Sequence, residues 1–101
     1  MKVEWTDNAL EQLRDIHEYL AQSSPDYARR VIDRLTKRSR QIATFPLSGR
    51  IVPEYQVPQV REVFEGMYRI IYHIKPYQID VLTVIHGRQQ TLWNVAADDE
   101  N

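Results

Sequence analysis

The chain has 101 residues, 43% of them hydrophobic and 27% charged, with a formal net charge of −1 and no cysteine. That length suits one domain with one core and makes a second domain unexpected, and the missing cysteines exclude disulfides, thiol catalysis and thiolate metal sites. No stretch approaches the roughly 20 apolar residues of a membrane span, and no basic region followed by an apolar one opens the chain, so a cytoplasmic protein with no membrane partner is expected.

Three of the fourteen acids, Asp98, Asp99 and Glu100, crowd into a polar tail, so the remaining body carries only +2. The expected division is a single domain over residues 1–95 and an acidic tail over 96–101. A body this weakly basic lacks the strong field typical of proteins that grip a nucleic-acid backbone.

The first element is "KVEW", whose alternation of polar and apolar residues reads as a short strand closed by Thr6, a good N-cap. Ala9, Leu10, Leu13, Ile16 and Leu20 then recur at helical spacing, predicting an amphipathic helix over residues 7–22. In "SSP", Ser24 is an N-cap and Pro25 occupies the first helical position, where its missing N–H costs nothing. The second helix buries Ala28, Val31, Ile32, Leu35 and Ile42, while Arg29, Arg30, Arg34, Lys37, Arg38 and Arg40 spread over its other side. That basic side reads as a solvated face, because Asp33 interrupts it and the body is not strongly basic. A short connection between two such helices makes an antiparallel hairpin.

The prolines and glycine of "FPLSGRIVPEYQVP" mark an irregular connection. "VREVFEG" and "MYRIIYHIK" then read as strands separated near Gly66, and "KPYQ" turns the chain into a last strand, "IDVLTVIHG". A turn of two or four residues at "KPYQ" would set odd positions of one strand opposite even positions of the next. Arg69, Ile71 and His73 would then share a face with Leu82, Val84 and His86, and Tyr68, Ile70, Tyr72 and Ile74 would seat the helices with Val81 and Ile85.

Arg69 and His86 are the chemically interesting members of that polar face, since a guanidinium binds phosphate in bidentate fashion and a histidine exchanges protons near neutral pH. The bland alternative is that sheet faces without helices carry polar residues. Arg61 beside Glu62 reads as a surface charge pair of small energetic weight. His17, His73 and His86 have no zinc-like spacing, and Gly49, Gly66 and Gly87 form no phosphate-binding loop, so neither a metal nor a cofactor is expected.

Taken together, "VEWTDNALEQLRDIHEYL", "SPDYARRVIDRL", "FPLSGRIVPE", "VREVF", "YRIIYHI" and "IDVLTVIHGRQQ" resemble the RelE/ParE superfamily of small bacterial toxins from type II toxin–antitoxin systems. The resemblance covers nearly the whole chain. It implies an α+β fold, β-α-α-β-β-β, with the helical hairpin on one face of an antiparallel sheet.

The superfamily divides by target. In the RelE-like branch, which cleaves messenger RNA on the ribosome, arginines lie where this chain has Arg69 and Arg88. Elsewhere the chain departs from that branch: Pro53, Glu54 and Tyr55 stand where lysines are common, and Trp93 and Asn94 where a terminal tyrosine would be. Glu54, Arg69 and His86 resemble the Glu, Arg and His set of another nuclease branch, with Gly87 in place of the tyrosine that follows the histidine. The alternative catalytic set is therefore Glu54, Arg69, His86 and Arg88.

"GRIVPE", "RE", "YRIIY" and "VIHGR" look closer to the ParE-like branch, which poisons DNA gyrase without a nuclease triad. The resemblance thus implies a gyrase inhibitor, with a ribosome-dependent messenger-RNA endoribonuclease as the alternative and an inactive antitoxin-binding relative as a third reading. A cognate antitoxin and a toxin–antitoxin hetero-oligomer are implied in either toxic case. The candidate contact residues for target or antitoxin are Arg61, Arg69, His86, Arg88, Leu92 and Trp93.

Overall fold

The computed structural model describes residues 1–87. Strand β1 (Lys2–Trp5) leads into helix α1 (Asp7–Ala21) and then α2 (Pro25–Thr44). A short 3-10 turn, Pro46–Ser48, is followed by β2 (Arg50–Ile51), β3 (Val60–Glu65), β4 (Tyr68–Ile74) and β5 (Gln78–His86). The expected order of strand, two helices and three strands is present, and β2 is a two-residue addition within the proline-rich connection.

Local signals explain most of the boundaries. The Thr6 hydroxyl accepts the Ala9 N–H at 3.2 Å, and the Ser24 hydroxyl accepts the Tyr27 N–H at 3.2 Å, so each helix opens on a side-chain cap. β3 and β4 meet at a two-residue turn in which Gly66 has φ 58°, a conformation glycine adopts without a Cβ clash and the one a type II′ hairpin requires first.

The five strands lie in the order β1-β5-β4-β3-β2. β2 through β5 pair antiparallel, whereas β1 pairs parallel to β5 from Lys2 opposite Gln78 to Trp5 opposite Val81, so the sheet is mixed. The helical hairpin covers one face. Val31, Leu35 and Ile42 of α2 and Ala9 of α1 pack there with Val63, Ile70, Tyr72, Ile79, Val81 and Val84. Each large apolar side chain buried in this way contributes about 1.5–3 kcal/mol relative to exposure, so the hairpin is held chiefly by this layer. The opposite face has a smaller apolar cluster of Val52, Val60 and Ile71, with Tyr55 and Leu82 beside it.

A β-bulge changes the expected faces of β5. Near the turn the odd-to-even pairing holds, with Ile74 opposite Ile79, His73 opposite Asp80 and Tyr72 opposite Val81. Leu82 has no partner in the register, and beyond it Ile71 faces Thr83, Ile70 faces Val84 and Tyr68 faces His86. One extra residue reverses the side-chain alternation of all that follows. Val84 and His86 therefore join the helix side instead of sharing a face with Arg69, and Ile85 takes the place opposite Arg69.

Polar side chains of α1 support the bulge where β1 has ended. Thr6 donates through its hydroxyl to the Val81 carbonyl at 2.9 Å, and the Asn8 amide donates to Leu82 O at 3.0 Å. Gln12 Oε1 accepts from the Thr83 hydroxyl at 2.6 Å and from the Val84 N–H at 2.8 Å. These contacts occupy backbone groups that would otherwise form an open sheet edge. Gln12→Leu, which keeps the bulk and removes the acceptor, is expected to lower unfolding free energy by about 1–3 kcal/mol in urea titrations, while Glu11→Gln on the exposed side of the same helix changes it by less than about 0.5 kcal/mol.

At the other end of the hairpin, Asp80 accepts from Lys75 Nζ at 2.5 Å and from the Gln78 amide at 2.6 Å. The hydrogen bond from Lys75 leads in holding the Asp80 carboxyl below its ordinary value, against the opposing effect of burial. A depressed folded-state value gives stability that is present above the unfolded value, about 3.9, and is lost as pH falls through the folded one. Wild-type stability should therefore decline more steeply below about pH 4 than that of Asp80→Asn, as read from thermal unfolding at a series of pH values.

Candidate functional site

Arg69 lies in the middle of the helix-free face, but it is not open to a ligand from solvent. It is 5% exposed. Its Nε donates to Glu62 Oε1 at 2.8 Å and its Nη2 to the same oxygen at 2.5 Å. Nη1 and Nη2 also reach Glu54 Oε2 and Oε1 at 3.1 and 3.2 Å, a two-pronged pairing of guanidinium with carboxylate. Glu62 Oε2 accepts from Arg50 Nε as well. The Glu62 side chain is wholly buried, Glu54 nearly so, and Arg50 is mostly exposed.

The strands explain this cluster. Side chains at alternate positions of β3 point to opposite faces, so Glu62 turns toward Arg69 while Arg61 turns away. Arg61 and Glu62 do not form the expected surface pair. Arg61 instead donates to the carbonyls of Pro58 at 3.0 Å, Leu47 at 3.3 Å and Gly49 at 3.0 Å, fastening the irregular connection to the sheet. Two carboxylates against two guanidiniums leave the cluster near neutrality. Burial acts to lower the Arg69 pKa, but the hydrogen bonds and charges of Glu54 and Glu62 outweigh it and hold the value above the ordinary one. Arg69 is a permanent cation inside an ion network, with its guanidinium turned to protein carboxylates.

Tyr72 makes the neighbouring polar link. Its hydroxyl donates to Pro46 O at 2.6 Å and accepts the Gly49 N–H at 3.2 Å. A Cβ at Gly49 would lie 2.6 Å from the Glu62 carbonyl oxygen and would collide with the same hydroxyl, so the close approach requires glycine. Burial raises the Tyr72 pKa, opposed by the Gly49 hydrogen bond and by the charges of Arg61 and Arg38.

His86 lies on the other side of the sheet. Its ring meets Tyr68 edge-on, with centroids 6.1 Å apart and planes at 73°. The two residues line a cleft of about 420 Å³ with Gln12, Ile16, Tyr19 and Val84, between α1 and the ends of β4 and β5. A second hollow of about 200 Å³, lined by Leu20, Tyr27, Val31, Arg34 and Met67, also reaches Tyr68. The two hollows meet at that tyrosine. Burial, then the neighbouring Tyr27 and Tyr19, push the Tyr68 hydroxyl above its ordinary value.

Of the sequence-derived candidates, Glu54 and Arg69 come together, His86 sits on the opposite face, and Arg61 acts on the loop. Arg88, Leu92, Trp93 and the acidic tail lie outside the described residues. Glu62 and Tyr68 were not among the candidates. Glu62 resembles any exposed strand acid until its partner strand is known, and Tyr68 resembles an ordinary core aromatic. Among the described residues, no group of three His, Cys, Asp or Glu is placed to hold a metal ion.

Residues 3–91 match the family profile described as ParE toxin of type II toxin–antitoxin system, parDE. The chain belongs to this family. A curated relative named as a candidate toxin, Y4kP of Sinorhizobium fredii, is 32% identical over 93 residues, covering 88% of this chain and 91% of its own length. The chromosomal ParDE toxin–antitoxin system from P. aeruginosa includes a chain that superposes with a TM-score of 0.70 at 20% identity, over 85% of this chain and 95% of that one. The toxin–antitoxin complex RelBE2 from Mycobacterium tuberculosis gives 0.61 at 19% identity, over 84% and 95%. These two likenesses show the shared fold of this ParE-family chain.

The ion network makes a specific stability claim. Arg69→Leu leaves Glu62 buried without its main partner and is expected to cost about 3–5 kcal/mol in denaturant unfolding, whereas Arg69→Leu with Glu62→Leu recovers most of the loss. Equal instability of the single and double variants would count against that account.

Proposed function

We propose that this ParE-family chain arrests bacterial growth by poisoning DNA gyrase and is neutralised by a cognate antitoxin, in the manner of a plasmid-stabilising pair. The observation that carries the proposal is the separation of Arg69 from His86. A nuclease needs a phosphate clamp and a proton-transfer group within reach of one scissile bond. Here the clamp candidate is turned to Glu54 and Glu62 on one face, and the histidine lines a cleft on the other. A protein that acts by docking has no need of that convergence.

The joined hollows around Tyr68 fit the apolar side of an antitoxin segment, with aromatic anchors at the centre and His86 at the rim. Arg61 and Arg69 serve this surface indirectly by fixing the loop and sheet. Arg88, Leu92 and Trp93, which follow β5 in sequence and lie outside the described residues, remain proposed contact residues on the strength of the sequence alone. The reading implies a cytoplasmic protein held in a hetero-oligomer until the antitoxin is lost.

Purified toxin is expected to accumulate gyrase cleavage complexes on supercoiled DNA, to leave ribosome-bound messenger RNA uncut, and to lose its effect when antitoxin is added. His86→Ala should change the gyrase effect by less than about tenfold, since removing one rim contact is worth about a kilocalorie. Codon-periodic cleavage of translated messenger RNA, reduced about 100-fold or more by that substitution, would overturn the proposal in favour of a ribosome-dependent nuclease.

A further inference from the structure

The charges of the helical layer are sorted by helix. Asp7, Glu11, Asp15 and Glu18 lie along α1 against Arg14 and are all exposed, whereas α2 carries six basic residues against Asp26 and Asp33. At 100° per residue, Arg30, Arg34, Lys37 and Arg38 of α2 fall on one flank. Asp33 falls toward the adjacent row with Asp26 and Arg29, and these last two pair with each other at 3.7 Å. Asp33, three residues after Arg30 and four before Lys37, borders this flank instead of lying within it.

A fifth cation, Arg61, stands on the helix-covered side of β3, held by the carbonyls of Pro58, Leu47 and Gly49. Arg61 of β3 sits opposite Tyr72, and its charge and that of Arg38 both bear on the Tyr72 hydroxyl. Among the described residues, none of these five cations has a carboxylate within 4 Å, whereas Lys2, Arg29, Arg50, Arg69 and Lys75 each have one. Several of the five are also held in place. The Arg30 guanidinium lies 5.8 Å from the centre of the Tyr27 ring, Arg38 donates to Gln41 at 3.2 Å, and Arg61 is fixed by backbone carbonyls. Arg30 with Arg34, and Arg34 with Arg38, are like charges four residues apart, whose mutual repulsion an anionic partner would relieve.

We propose that the flank of α2 bearing Arg30, Arg34, Lys37 and Arg38, together with Arg61, lies along the phosphate backbone of duplex DNA. Arg30, Arg34 and Arg38 are spaced by about 6 Å along the helix axis and span about 12 Å, the axial rise of three to four nucleotides of one strand. Side chains of this kind contact phosphate oxygens and carry no sequence preference of their own. The choice of DNA as the duplex rests on the gyrase reading, in which the toxin meets its target on a DNA substrate. Backbone contacts would hold the toxin beside the cleaved strand while its other surfaces engage gyrase.

The test uses the full chain and a fluorescein-labelled 20-base-pair DNA duplex, without gyrase, by anisotropy between 50 and 200 mM NaCl. Neutralising three to four phosphates predicts that wild-type affinity falls about 100-fold across that range. Arg34→Gln/Lys37→Gln/Arg38→Gln, checked for unchanged circular dichroism and thermal unfolding, is expected to bind at least tenfold more weakly at 50 mM and to lose most of the salt dependence. Arg14→Gln on α1 should bind as wild type does. Equal affinity of wild type and triple variant, or tighter binding to an RNA duplex of the same sequence, would overturn the inference. Because gyrase is absent from this assay, failure here leaves the gyrase reading standing. Salt-sensitive DNA binding with no accumulation of cleavage complexes would count against the gyrase reading alone.

Discussion

The sheet is organised around one buried carboxylate. Glu62 has no exposed side-chain surface, and an ionised group in that position is tolerable only when nearby cations compensate its lost hydration. Arg69 supplies the main compensation from β4, and Arg50 adds a contact from β2. Arg69 in turn engages Glu54, which pins the turn after β2 over the same face. The short β2, the turn and the two strands thus share one electrostatic condition. With Tyr72 and Arg61 binding the other end of the connection, a proline-rich segment with little regular structure becomes part of the fold.

Much of the architecture was legible because its signals are local. Thr6, Ser24 and Pro25 mark helix starts by groups within three residues of them, and the stripes of α1 and α2 report their buried sides through spacing alone. The arrangement of the site was less legible. In "VLTVI" every position but Thr83 is apolar, because a central strand is covered on both faces, so alternation could not reveal the bulge at Leu82. That bulge depends on Gln12, seventy-two residues away from Val84. The face of His86 follows from it. The partner of Glu62 was hidden for a similar reason, since adjacent charges in a strand look paired in sequence and point apart in space.

In this ParE-family chain Arg69, the most reactive-looking residue of the helix-free face, is committed to architecture. Arginine on a sheet face carries different meanings depending on what faces it: opposite solvent it attracts phosphate, and opposite two glutamates it acts as a rivet. In the docking reading proposed above, the surface for recognition is the helical layer and its margins. Two apolar hollows meet at Tyr68, and the hairpin is predominantly acidic on α1 and predominantly basic on α2. The basic flank borders the second hollow, since Arg34 lines it and Arg30 lies over Tyr27, so the proposed apolar and electrostatic contacts adjoin on this layer.

The parallel pairing of β1 with β5 has a consequence for how the protein is made. Lys2 finds its partner only in Gln78, so the first strand synthesised waits for the last. Such distant pairing is slow to form because a long loop must close before it yields any gain. During translation the helical hairpin can form early, but the sheet that seats it cannot be completed until β5 has left the ribosome. A nascent or prematurely terminated chain lacks both the finished core and the cleft beside Tyr68. An incomplete copy would therefore lack, by topology, the surface on which the proposed docking depends.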